Sequence, residues 1–89
     1  MPINQTYTTE QKKALAARLR LFRENCPKPY TDRHCSQEDV ARALNITRSN
    51  YTYFEQGKTI PNIFLLQKLA DFYAVSVDKL IGSHMNETG

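Results

Sequence analysis

Ser36-Gln37-Glu38-Asp39-Val40-Ala41-Arg42-Ala43-Leu44-Asn45-Ile46-Thr47, running on into Arg48-Ser49-Asn50-Tyr51-Thr52-Tyr53-Phe54-Glu55-Gln56-Gly57, is the stretch whose reading decides the fold. Ser36 is a good helix N-cap, and Gln37, Glu38 and Asp39 put negative charge in the first turn, where the helix dipole favours it. Val40, Ala41 and Leu44 form an inner stripe at helical spacing. Asn45 is one of the few residues other than glycine that tolerates the left-handed backbone a sharp turn demands. Ile46 is apolar within that turn, and Thr47 can cap a further helix over 48–55. On that helix Tyr51, Phe54 and Glu55 share one face, which leaves Arg48, Ser49, Thr52 and Tyr53 turned outward. Gly57 ends it. A two-turn helix, a three- to four-residue turn and a second short helix make the outline of a helix-turn-helix.

The rest of the chain reads as helices around this pair. Upstream, Thr8-Thr9-Glu10-Gln11 has the form of a capping box. Leu15, Leu19 and Phe22 then fall on one face, with Arg18, Arg20 and Arg23 around them. Arg18 and Arg20 read as solvated surface. Pro27 and Pro29 stop that helix, since each lacks an amide hydrogen and constrains its predecessor, and residues 26–35 read as a long loop. Downstream, Asn62 opens a fourth helix with a stripe of Ile63, Leu66, Leu69, Ala70 and Tyr73. Ser76 caps a last short helix through Val77, Leu80 and Ile81, closed by Gly82. The expected fold is all-α with five helices: residues 1–8 a flexible arm, 9–82 the folded domain, 83–89 a disordered tail. No internal repeat is read.

Composition sets the limits. At 89 residues, 40% hydrophobic and 24% charged, the chain holds one small core. Net charge is +3, distributed as +4 over 1–35, zero over 36–60 and −1 over 61–89. A mild basic excess suits an anionic partner such as nucleic acid. No apolar run approaches the ~20 residues that cross a bilayer, and the first residues resemble no secretory signal. A cytoplasmic protein with no membrane association is therefore expected. Cys26 and Cys35 bracket the loop, with His34 beside the second. Free thiols are the expected state in a reducing compartment, with a redox-sensitive bridge or a metal as alternatives. The expected metal and cofactor are none, and neither an acid–base pair nor a phosphate loop suggests an enzyme.

The 36–47 segment, Phe54-Glu55-Gln56-Gly57-Lys58, Pro61 and Val75-Ser76-Val77-Asp78-Lys79-Leu80 together resemble the Cro and phage-repressor helix-turn-helix family (XRE-like). The match covers residues 14 to 82. The resemblance implies a five-helix, lambda-repressor-like domain that binds double-stranded operator DNA as a homodimer and controls transcription, most often by repression. Carried over residue by residue, it implies base reading by Arg48, Ser49, Thr52 and Tyr53, and phosphate contacts by Gln37, Gln56, Lys58 and Thr59. It also implies a partly buried ion pair of Arg23 and Glu55, which accounts for an acid on an inner face. The chain departs from the pattern in its longer linker between helices one and two, in Asn45 where glycine is frequent, and in Tyr51 where a small aliphatic residue is usual.

Physical chemistry runs alongside the resemblance. A helix fits the major groove, and Arg48 at its N-terminal end can bond guanine O6 and N7, worth about 1–3 kcal/mol of discrimination. Phe64, Leu65 and Phe72 lie outside the fourth helix's inner stripe and are expected to supply a dimer interface, with extra core packing as the alternative. A second functional reading stays open, an antitoxin-like module that neutralises a partner protein and regulates its own operon.

Overall fold

Five helices follow one another in the computed structural model: α1 (Thr9–Glu24), α2 (Gln37–Leu44), α3 (Arg48–Gln56), α4 (Ile63–Tyr73) and α5 (Val77–Ile81). The structure describes residues 8–82. The expected arm before Thr8 and the tail from Ser83 lie outside the described residues. Thr8 itself caps α1: its side chain accepts from the Gln11 amide at 3.1 Å, while Gln11 Oε1 accepts from the Thr8 amide at 2.9 Å. Ser36 and Asp39 make the same reciprocal box at α2. Side-chain acceptors at these helix starts satisfy amides that have no partner within the helix.

The core is built from one face of each helix: Leu15 and Leu19 of α1, Val40 and Leu44 of α2, Tyr51 and Phe54 of α3, Leu66 and Leu69 of α4, and Leu80 of α5. Helix α1 packs on α3 and α5, α2 packs on α3 and α4, and α4 packs on α5. Tyr51, whose size departs from the family pattern, is completely buried. Its hydroxyl lies 2.8 Å from that of Tyr73, so a polar atom taken out of water keeps a partner. Burial raises the pKa of both phenols, which stay protonated.

Three expectations change. Ile63 is 55% exposed and belongs to no inner stripe, because burial along α4 begins only at Leu66, one turn into the helix. Leu65 and Phe72 are half-buried and pack against the core, so of the three residues expected at an interface Phe64 alone, at 71% exposed, faces solvent freely. Finally, the chain does contain a repeat, one of local geometry. The α2–α3 turn is left-handed at Asn45 (φ 61, ψ 43) and the α4–α5 turn at Ala74 (φ 59, ψ 44). Ile46 N donates to Ala41 O at 3.0 Å, and Val75 N to Ala70 O at 2.9 Å. Thr47 and Ser76 then cap the helices that follow. Helices α3 and α5 both end on a left-handed glycine, Gly57 (φ 75) and Gly82 (φ 77), and both glycines face α1. The Arg18 guanidinium covers Gly82 so closely that a Cβ there would collide with it.

Candidate nucleic-acid interface

Helix α3 divides cleanly into two faces. Thr47 Oγ1 accepts from the Asn50 amide at 3.1 Å and starts the helix. Four residues on, Tyr51 enters the core, followed by Phe54 and Glu55. That register leaves Arg48, Ser49, Asn50, Tyr53 and Gln56 exposed. Asn50, also exposed, was not singled out from the sequence, although its position between Ser49 and the buried Tyr51 signals it.

Thr52 does not lie free on that outer face as expected. It is half-buried, and its hydroxyl donates to Gln37 Oε1 at 2.8 Å. The reason is its position three residues before Glu55, at the edge of the buried stripe. Gln37 in turn donates from Nε2 to Glu55 Oε1 at 2.9 Å. Arg23 completes the set: Nε and Nη2 reach Glu55 Oε2 and Oε1 at 2.6 and 3.1 Å, and Nη1 donates to Cys35 O at 3.2 Å. Thus Thr52, Gln37, Glu55 and Arg23 link α3, α2 and α1 through one chain of hydrogen bonds. Two parallel bonds from a guanidinium to a carboxylate fix angle as well as distance. Burial pushes the Glu55 carboxyl up, but hydrogen bonds from Arg23 and Gln37 outweigh it and hold the group below its ordinary value. The Arg23 guanidinium is raised by the same contact. Helix α3 is therefore held on α1 by a buried charge pair and on α2 by the Gln37 amide, not by apolar packing alone.

The remaining residues carried over by the resemblance sit at and after the end of α3. Gln56, its last residue, is exposed, as are Lys58 and Thr59 in the turn that follows. Lys58 N donates to Tyr53 O at 3.0 Å, and its ammonium lies 5.4 Å from the Tyr53 ring centroid, within range of a cation–π contact. One side-chain amide hydrogen of Gln37 stays available beside the start of α2, where helical amides favour an anion.

The long connector between α1 and α2 is ordered as a small hairpin. Cys35 N donates to Cys26 O and Lys28 N to Arg33 O, each at 2.9 Å, and Pro27 pairs with His34 in an antiparallel bridge. Tyr30 takes the left-handed turn at φ 66. Cys26 and Cys35 are free thiols with sulfurs 3.6 Å apart, well beyond the ~2.05 Å of a disulfide. Burial and the neighbouring sulfur push the Cys35 thiol up to about 11. At the hairpin's base Lys28 Nζ lies 3.2 Å from Asp39. The Asp39 carboxyl is held down to about 2, first by the Ser36 amide and then by Lys28.

Comparison with known proteins points the same way. A family model described as helix-turn-helix matches residues 31–80. The SPbeta prophage-derived HTH-type transcriptional regulator YonR of Bacillus subtilis (strain 168) is 38% identical over 65 residues, 72% of this chain and 60% of its own length. The cryptic phage CTXphi transcriptional repressor RstR of Vibrio cholerae is 32% identical over 50 residues, 56% of this chain and 45% of its own length. The HTH-type transcriptional activator BcrR of Enterococcus faecalis is 30% identical over 60 residues, 67% of this chain and 29% of its own length. The chain thus spans less than two thirds of each of these relatives. No solved structure matches. Five helices with a capped turn between α2 and α3, and a family match over more than half the sequence, lead to one conclusion: the chain belongs to the Cro and phage-repressor (XRE-type) helix-turn-helix family.

Proposed function

We propose that the protein is a sequence-specific DNA-binding regulator of transcription, acting as a repressor, with α3 as the helix that enters the major groove. The observation that carries this reading is the exposed face of Arg48, Ser49 and Tyr53 on a helix whose other face is locked in place by Glu55, Arg23 and Gln37. Arg48 and Ser49 read base edges at the N-terminal end, and Tyr53 contacts the groove wall. Thr52 contributes through Gln37, which it orients, and Gln37, Gln56, Lys58 and Thr59 hold backbone phosphates that set the register without carrying sequence information. The relatives' printed names include a repressor and an activator. Repression is the reading taken here, since occupying an operator is by itself sufficient to block transcription.

The regulator acts as a homodimer through the exposed start of α4, where Ile63 and Phe64 present apolar side chains to water. Two copies would place their α3 helices in successive major grooves, about 34 Å apart. The test is selection of a binding sequence from random duplexes, followed by affinity measurement for Arg48→Ala/Ser49→Ala. Loss of at least about tenfold on the selected sequence, with little change on scrambled duplex, is expected from one bidentate base contact. Unchanged sequence preference would refute α3 as the reading element.

A further inference from the structure

Beside α3 a cleft of about 550 Å³ opens between two walls. One wall is the connector hairpin, through Lys28, Arg33 and His34. The other is formed by Ser36 and Gln37 at the start of α2 and by Arg48, the first residue of α3. Two of these residues, Gln37 and Arg48, also belong to the face proposed to meet DNA. The cleft and that face are therefore continuous.

The charges in the cleft are not all spoken for. Arg23 is bound to Glu55, and Lys28 to Asp39. Asp32 also lines the cleft, yet among the described residues neither Arg33 nor Arg48 has a carboxylate within ion-pair distance. Two cations, one from the hairpin and one from α3, thus line the same cleft without an ion-pair partner among the described residues, an arrangement that a bound anion relieves.

The hairpin is also more rigid than a connector requires. Helix–helix connections in small bundles commonly need 2–8 residues, roughly, and a tether alone would not need internal order. Here Thr31 Oγ1 donates to Lys28 O at 3.0 Å and accepts from Arg33 N at 3.1 Å, so the backbone on either side of the tip is tied to itself. Arg23, through Cys35 O, ties the base of the hairpin to the same hydrogen-bond chain that orients α3. Arg33 is therefore carried by a backbone whose position relative to the recognition helix is defined.

We infer that the connector hairpin is a second grip on DNA: Arg33, which lines the same cleft as Arg48, clamps a backbone phosphodiester flanking the bases that α3 reads. The inference rests on the reading of α3 given above. Arg48 stands where base reading ends and the clamp begins. Lys28 offsets the charge of Asp39 and so weakens that carboxylate's repulsion of the incoming phosphate.

The test compares wild type, Arg33→Gln and Arg33→Lys on the selected duplex at about 50 and 200 mM salt. One phosphate contact contributes a slope of about 0.9 in log affinity against log salt, which is about 3.5-fold over that interval. Arg33→Gln should show a loss between the two salts smaller by that factor, with its preference for selected over scrambled duplex unchanged. Arg33→Lys should restore most of the slope. Trimming the duplex until the flanking phosphate is gone should bring wild type down to Arg33→Gln. Equal slopes for wild type and Arg33→Gln would overturn the clamp while leaving α3 as the reading helix, as would an altered sequence preference. If Arg33→Gln abolished inorganic phosphate binding seen by NMR titration but left duplex binding intact, the cleft would be a free-anion site and the clamp would fall. Absence of any salt-dependent duplex binding by wild type would overturn the clamp and the α3 reading together.

Discussion

The two halves of the molecule use one turn for different ends. In the α2–α3 half, Ala41, Leu44, Asn45, Ile46, Thr47 and Tyr51 occupy the places that Ala70, Tyr73, Ala74, Val75, Ser76 and Leu80 hold in the α4–α5 half. The turns agree within a few degrees, and Tyr51 and Leu80, each four residues past its cap, are both fully buried. The difference lies in what surrounds the turn. The first half carries a polar chain of Gln37, Thr52, Glu55 and Arg23 and exposes one face of a nine-residue helix. The second spends its five-residue helix on a single fully buried leucine. A common backbone solution thus presents a surface in one half and closes a core in the other, and the side chains decide which.

The largest expected effect falls on the closing half. Leu80→Ala leaves a cavity in a helix that has no other fully buried residue, and should cost about 3 kcal/mol. For a domain of this size that is about 15 °C in Tm, readable by thermal unfolding. A loss under about 1 kcal/mol would show that α5 is no keystone and would blunt the contrast between the halves.

A pH series addresses the presenting half. Glu55 has a lowered pKa in the folded protein, so its stabilising contribution is present above its unfolded value, near 4.5, and is lost as pH falls through the folded value. Glu55→Gln should cost about 2 kcal/mol at neutral pH, because Arg23 then keeps its charge without a carboxylate. Below about pH 4.5 the gap to wild type should narrow, since only wild type has a carboxyl at position 55 to protonate. A constant gap from pH 7 to 3 would mean that the hydrogen-bond chain holds α3 by shape and not by charge.

The smallest expected effect tests the equivalence of the turns directly. Left-handed backbone costs a residue with a Cβ about 1–2 kcal/mol, and glycine's extra chain entropy returns part of the gain. Ala74→Gly should therefore stabilise by about 0.5–1 kcal/mol, while Asn45→Ala should destabilise by a similar amount. Opposite signs in denaturant titrations would confirm that the turns are equivalent; equal signs would separate them.

Much of this was legible from residues alone. Thr8, Ser36, Thr47, Asn62 and Ser76 each cap a helix because a short oxygen-bearing side chain before an apolar stripe satisfies orphan amides locally. Asn45 announced its turn through its own conformational tolerance. Ala74 did not, because alanine gives no hint of left-handed backbone, and the repeat went unread with it. Spacing turns Thr52 outward, but at the edge of a stripe spacing does not distinguish a free hydroxyl from one held by Gln37.

What the sequence by itself determined is the family, the five helices and the division of α3 into an inner and an outer face, all set by interactions within a few residues of chain. What only the tertiary structure decided is how far burial reaches along α4, the partners of Thr52, and the cleft between the hairpin and Arg48. Each depends on groups brought together from distant parts of the chain. Arg33 and Arg48 are fifteen residues apart in sequence, and only the hairpin and the packing of α2 against α3 bring them to one cleft. Local propensity has no term for that.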